Sequence, residues 1–138
     1  MAVFDIRQYP RRLEQLQKAY ENGSQSVFIR VVLESLTQIV LRTPVDTGAA
    51  RANWVVNVGP VGSGQSDPDR KDSSGGATIL QGQSIVLGNP NADAYTISNA
   101  LPYVSQLNQG SSPQAQAGFV ENSVRNATRR VLRSIRGF

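Results

Sequence analysis

One stretch decides the fold: Arg42-Thr-Pro-Val-Asp-Thr-Gly-Ala-Ala-Arg-Ala-Asn-Trp54. Proline disfavours helical geometry in the residue before it, so a preceding helix should end at Thr43-Pro44. Asp46 can accept backbone N–H bonds two residues further on, and Gly48 tolerates positive φ, which predicts a tight turn. The residues from Trp54 to Val58 are rich in β-formers. The stretch therefore predicts a corner in which a helix turns into a strand.

Two helices are predicted before this corner. The first has an apolar stripe at helical spacing, formed by Tyr9, Leu13, Leu16 and Tyr20. Asn22-Gly23 should end it, and Ser24 can cap a second helix that runs to Arg42. The stripe of the second helix is formed by Val27, Phe28, Val31, Val32, Leu36, Ile39 and Val40.

The residues after the corner predict a small sheet and a last helix. Trp54, Val56 and Val58 should share one side of a strand, and a second strand should run from Ala94 to Ser98 and end at Asn99. A glycine-rich flexible loop is expected over residues 59–76. Residues 77–87 fit a helix through Ile79, Leu80, Gln83, Val86 and Leu87, or a strand over their last four residues; we favour the helix.

A short turn or helix over residues 103–110 should lead into an amphipathic helix over residues 117–136. Val124, Thr128, Val131 and Ile135 are expected to face inward. The chain is thus predicted to be a single α+β domain over residues 1–138. Long N-terminal helices and the amphipathic C-terminal helix would pack on a small antiparallel sheet.

The composition of the 138-residue chain argues against an enzyme. It has no cysteine and no histidine, so thiolate metal sites, disulfides and the usual general base are excluded. No two carboxylates have the spacing of a catalytic pair, and neither a cofactor nor a metal is expected. Asp46 is predicted to be a turn residue, and Trp54 and Tyr103 are predicted to anchor the core.

Two local patterns resemble ligand sites but favour simpler interpretations. The stretch from Gly59 to Ser66 has the glycine spacing of a phosphate-binding loop, but Gln65 stands where that motif needs lysine. We therefore interpret it as a flexible loop. Asp67, Asp69 and Asp72 lack the glycine and the distant glutamate of an EF-hand, so solvated loop carboxylates are favoured over a cation site.

The C-terminal arginines leave three interpretations open. Residues 121–138 contain five arginines and one glutamate, a net charge of +4 that equals the charge of the whole chain. Their face of the last helix could contact DNA phosphates, contact an acidic partner, or simply be solvated. No aromatic side chains alternate with them, which disfavours stacking on single strands. The four on one face are Arg125, Arg129, Arg133 and Arg136.

Two motifs, in this order, resemble the neck or tail-completion proteins of tailed bacteriophages. The first is a Pro-x-Asp-Thr-Gly turn followed by an aromatic strand, here Pro44, Asp46, Thr47, Gly48 and Trp54. The second is a strand end, a Pro-Tyr pair, a glycine turn and a Gln/Ala-rich loop. Its positions here are Ile97, Asn99, Pro102, Tyr103, Leu107, Gly110, Ser112, Gln114, Ala115, Ala117 and Gly118.

The resemblance covers about residues 27–131, with departures. Members of the family often carry glutamate where Asn108 stands and proline where Gln116 stands, and the loop 60–76 has no counterpart. The family implies a structural protein without catalytic activity. The positions from Asn99 to Gly118 become candidates for an assembly arm, whose segment 111–118 should be extended and dock on a neighbouring subunit.

The resemblance also implies partners and a location. We expect a closed ring of copies around the DNA channel, six-fold in preference to twelve-fold, bound to head-completion or adaptor proteins and to the tail terminator or tail tube. DNA would pass through the lumen, and no membrane partner is expected. The protein would occupy the head–tail joint of the virion and the host cytoplasm before assembly. The alternatives are a tail terminator, or a nucleic-acid-binding protein acting through the C-terminal arginines.

Overall fold

The computed structural model of the chain describes residues 2–5, 25–59 and 66–134. It combines helices with a small antiparallel sheet, which confirms the predicted α+β class. The helix predicted over residues 9–20 lies outside the described residues. In chain order the elements are β1 (Ala2–Asp5), α1 (Gln25–Arg42), α2 (Ala49–Ala52), β2 (Trp54–Val58), α3 (Gly76–Leu87), β3 (Tyr95–Asn99), α4 (Val104–Asn108) and α5 (Phe119–Arg133).

Helix α1 occupies the centre of the molecule because it packs against both α5 and α3. All seven residues of its predicted apolar stripe are buried. Leu36, Ile39 and Val40 are fully inaccessible to solvent. The helix ends where the Thr43-Pro44 pair predicts, with the Thr43 N–H bonded to the carbonyls of Ile39 and Val40.

The sheet has the order β1-β3-β2, and both pairings are antiparallel. Strand β3 lies in the middle and is buried along its whole length. Ile97 pairs with Val56, and Asn99 pairs with Trp54. Trp54 and Val56 are buried as predicted, whereas Val58, expected on the same side, is 45% exposed because it ends the strand.

Helix α3 confirms the helical interpretation of residues 77–87, but it is rotated relative to the predicted face. Leu80 and Leu87 were expected inside and are 64% and 60% exposed. The buried side is instead centred on Gly82, where an added Cβ would lie 2.4 Å from a Leu36 methyl group and 2.9 Å from a Val56 methyl group. The apolar spacing alone predicts that the two leucines are buried. Packing favours the other face instead, because Gly82 lets α3 approach Leu36 and Val56 closely.

Helix α5 begins after Gly118 and ends at Arg133, so it is shorter than predicted at both ends. Val124, Thr128 and Val131 face the core as expected. Its outward side is strongly polar and carries the arginines. Ile135 and Arg136 lie outside the described residues. No helix in residues 25–59 or 66–134 has the length and apolar character needed to cross a bilayer.

The described part of the glycine-rich loop is tied to the corner at three places. The Asn53 side chain bonds both the N–H and the carbonyl of Asp67 at 2.8 and 2.9 Å. The Asp72 N–H donates to the Gly48 carbonyl at 3.1 Å, and Arg51 donates to the Ser73 carbonyl at 2.8 Å. Residues 66–75 therefore have a defined position where the sequence predicted a flexible loop. Residues 60–65 of that loop, and most of the glycine pattern 59–66, lie outside the described residues.

Candidate functional site

The structure brings the two sequence motifs into contact. The Gln114 side-chain amide donates to the Val45 carbonyl at 3.1 Å, and its oxygen accepts the Val45 N–H at 2.9 Å. The two residues are 69 positions apart. A side chain that bonds both polar groups of one peptide residue fixes position and orientation together. We call this region, from residues 43–54 and 99–118, the motif junction.

Arg51 and Trp54 build the first half of the motif junction by closing the end of α1. The Arg51 guanidinium donates to the carbonyls of Leu41 at 2.7 Å and Thr43 at 2.9 Å. These carbonyls are among the last of the helix, which lack partners within it. The Trp54 indole N–H donates to the Thr43 hydroxyl at 2.8 Å. Trp54 is therefore the core anchor that was predicted, with its polar edge satisfied.

Gly48 supplies the turn through positive φ, as predicted. Its φ is +89°, and an added Cβ would lie 2.9 Å from the backbone nitrogen of Ser73. The bond expected from Asp46 is made instead by its neighbour, since the Thr47 hydroxyl accepts the Ala49 N–H at 3.3 Å. Asp46 is exposed. Its carboxylate is thus available at the surface of the turn.

Tyr103 differs from its predicted role as a core anchor. It is 42% exposed, because it follows Pro102 at the surface where α4 begins. Partial burial, and then the negative charge of Asp46, raise the pKa of Tyr103. Tyr103 and Asp46, one from each motif, are both exposed.

Asn99 is a structural residue in the interior of the fold. It is fully buried. Its side chain donates to the Ala50 carbonyl at 2.8 Å and accepts the Leu101 N–H at 3.1 Å. It therefore ties the end of β3 to α2 and turns the chain into the second motif. A fully buried residue of this kind fixes the backbone of the second motif and is not itself accessible at the surface.

Asn108 joins α4 to α5. Its side-chain oxygen accepts the Val120 N–H at 3.0 Å, and its amide donates to both carboxylate oxygens of Glu121 at 2.9 and 2.8 Å. Its backbone carbonyl accepts the Gly118 N–H. A glutamate at this position would face Glu121, whereas asparagine matches the carboxylate that α5 of the same chain supplies.

Residues 111–118 do not form the extended arm that was predicted. They follow a series of turns, starting at Gly110 with φ +95° and ending at Gly118 with φ +76°. Ala115 is partly buried against the core, and the Ser112 hydroxyl accepts the Gln114 N–H at 3.2 Å. The segment is held to its own chain because Gln114 finds its partner at Val45. Leu107 likewise packs against the core.

An open groove lies beside the motif junction. Its volume is about 540 Å³. Leu41, Pro44 and Phe119 supply its apolar walls, and Gln114 and Gln116 supply amides. Residues 114–116 therefore form one wall of a recess between α1 and α5.

The second candidate surface is the arginine face, which we define as Arg30, Arg125, Arg129 and Arg133. All four are exposed. Arg30 comes from α1, and sequence reasoning missed it because only the antiparallel packing of α1 on α5 brings it there. It donates to the Ser134 hydroxyl at 2.8 Å. The predicted fourth member, Arg136, lies outside the described residues.

Among the described residues, the positive charge is concentrated on helices α1 and α5. Helices α1 and α5 contain six arginines and two glutamates, a net charge of +4. The other described residues contain three basic and six acidic residues, a net charge of −3. Glu34 pairs with Arg130 at 3.2 Å, and Glu121 is bonded by Asn108. Glu34 lies on α1, and Glu121 lies four residues before Arg125, at the N-terminal end of the same row.

Asp72 has a structural role rather than the solvated one expected. Its carboxylate accepts the N–H and hydroxyl of Thr78 at 2.9 and 2.8 Å and the Gly75 N–H at 3.1 Å. These bonds, that from the Thr78 N–H most of all, lower the pKa of Asp72. It thereby caps the start of α3. Within the described ranges, no three acidic side chains come together as a metal site would require.

Comparison with protein-family models, with curated proteins and with solved structures found no match.

Proposed function

We propose that this chain is a structural subunit of the neck of a tailed bacteriophage, where it joins the DNA-filled capsid connector to the tail. It would act as one subunit of a ring around the DNA channel and carry out no catalysis. The observation that supports the proposal is the Gln114–Val45 pairing. The two stretches that carry the resemblance are bonded to each other in the structure, as expected if they act as one unit.

The motif junction offers surface suited to assembly. Asp46, Pro102 and Tyr103 are exposed and lie at corners whose backbones are fixed from inside by Gly48 and Asn99. Rigid presentation lowers the ordering cost of binding. Identical subunits that contact each other head to tail form a closed ring when the rotation permits.

A null mutation in the phage that encodes the chain tests the connector role. Electron microscopy of the lysate should reveal DNA-filled heads separate from unattached tails, and expression of the wild-type chain in trans should restore joined particles. Complementation with an Asp46→Ala/Tyr103→Ala variant should restore fewer. Asp93→Ala, an exposed carboxylate outside the junction, is the matched control. Normal, infectious particles from the null mutant would refute the proposal.

A tail terminator is the neighbouring alternative within the same structural class. The same micrographs separate the two, because loss of a terminator leaves tails of irregular length, whereas loss of a neck subunit leaves tails of uniform length.

A further inference from the structure

We propose that the arginine face binds the phosphate backbone of duplex DNA without sequence preference. The proposal rests on the position of the four guanidinium groups and on the segregation of charge in the fold. It does not depend on the connector role, because it concerns the isolated protein.

The spacing of the row suits a phosphate backbone. Arg125, Arg129 and Arg133 follow each other at four-residue intervals on α5. With a rise of 1.5 Å per residue, the row extends about 12 Å along the helix. The three guanidinium-bearing residues are therefore about 6 Å apart along the helix, a spacing that lets each contact a separate phosphate. Arg30 lies beside the C-terminal end of α5, where it donates to the Ser134 hydroxyl.

The side chains of the row are suited to binding phosphate groups. Arginine has a planar fork of donors that matches phosphate oxygens. Six of the eight acidic residues in the described part of the chain lie outside α1 and α5, so an approaching duplex meets a net charge of +4 on these two helices. Segregated charge of this kind raises the rate of association with a polyanion.

Within α5 (Phe119–Arg133), which the structure describes, no aromatic side chain is exposed for stacking on bases. The aromatic residue of α5, Phe119, is only 3% exposed. Base stacking on aromatic side chains is the usual source of affinity for single strands. Binding should therefore be electrostatic and steeply dependent on salt.

Fluorescence anisotropy with a labelled 30-base-pair duplex of mixed sequence tests the proposal with the full chain. If all four arginines contact phosphates, the logarithm of the association constant should fall with the logarithm of NaCl concentration with a slope of about −3.6. The variant Arg129→Gln/Arg133→Gln should reduce the slope to about −1.8. The control variant Arg70→Gln/Lys71→Gln removes the same charge from an exposed loop and should keep the wild-type slope.

A variant that should gain DNA affinity distinguishes a direct effect on binding from a loss of affinity caused by unfolding. Glu34→Gln removes the carboxylate that pairs with Arg130, so that arginine becomes available and the slope should steepen by about 0.9. Equal slopes for the two double variants would overturn the proposal. So would loss of self-association, measured by sedimentation, in the Arg129→Gln/Arg133→Gln variant while its DNA affinity stays unchanged, because the face would then serve a protein partner.

Discussion

At the scale of single residues, side-chain oxygens and amides outside the regular elements determine how the elements meet. Asn53, Asn99 and Gln114 each bond backbone groups distant in sequence. Asn53 and Asn99 are buried, and buried polar groups are costly when unpaired, so these two residues each specify one arrangement of their surroundings. The sequence pattern identified Asn99 and Gln114 through a resemblance, but it could not reveal their partners, because those lie 49 and 69 positions away.

Asp72 provides a prediction at this scale. Its carboxylate accepts bonds from the start of α3, so Asp72→Ala should lower the free energy of unfolding at neutral pH by about 1–2 kcal/mol. Its pKa in the folded state lies below the ordinary value of 3.8. The stabilisation is therefore complete above that value and is lost as the pH falls through the lower, folded-state pKa. Urea denaturation should show the difference between wild type and variant closing as the pH falls below 3.8 and through the folded-state pKa.

The exposed Asp69, in the same loop, is the control for this prediction. Asp69→Ala should leave the free energy of unfolding nearly unchanged at neutral pH. A wild-type advantage over Asp72→Ala that persists unchanged under acid conditions would contradict the role assigned to the ionised carboxylate.

At the scale of elements, apolar spacing predicted where helices lie better than which way they face. The buried stripe of α1 was predicted in full because only one orientation of the helix buries all seven of its apolar residues together. Helix α3 contains no charged residue to mark its outer side, and its packing depends on Gly82, which carries no hydrophobic signal. The exposure of Leu80 and Leu87 therefore could not be read from periodicity.

The connection of α4 to α5 gives a prediction at this scale. Asn108→Glu places a second carboxylate against Glu121 and removes the donor that bonds it, so the free energy of unfolding should fall by about 1–3 kcal/mol. Adding Glu121→Gln should recover most of the loss, because a glutamine amide can donate to the new carboxylate. Urea denaturation of both single variants and the double variant completes the cycle. Simple additivity of the two single effects would contradict direct pairing.

At the scale of the whole molecule, the fold separates two surfaces with different chemistry. The motif junction lies where the end of α1 meets residues 99–118, and the arginine face follows the outer side of α5. The α+β class and most elements followed from periodicity and turn residues. The concentration of positive charge on α1 and α5 could not be predicted in this way. It arises only when the two helices pack together and bring Arg30 beside the C-terminal end of α5.

The last prediction separates folding from assembly at the motif junction. Both bonds of Gln114 to Val45 are exposed, and exposed hydrogen bonds exchange readily with water. Gln114→Ala should therefore lower the free energy of unfolding by less than about 1.5 kcal/mol. In the null-mutant background it should nevertheless restore fewer joined particles than wild type, because residues 111–118 lose their fixed position.

The neighbouring Gln116→Ala is the matched control, since Gln116 is exposed and lines the same groove without bonding Val45. Urea denaturation of the purified chains and counts of joined particles in micrographs give the two measurements. Full restoration by Gln114→Ala would mean that the pairing of the two motifs serves the fold alone. A deficit confined to Gln114→Ala would instead identify the pairing as the feature that presents the assembly surface, because stability would be nearly equal in both variants.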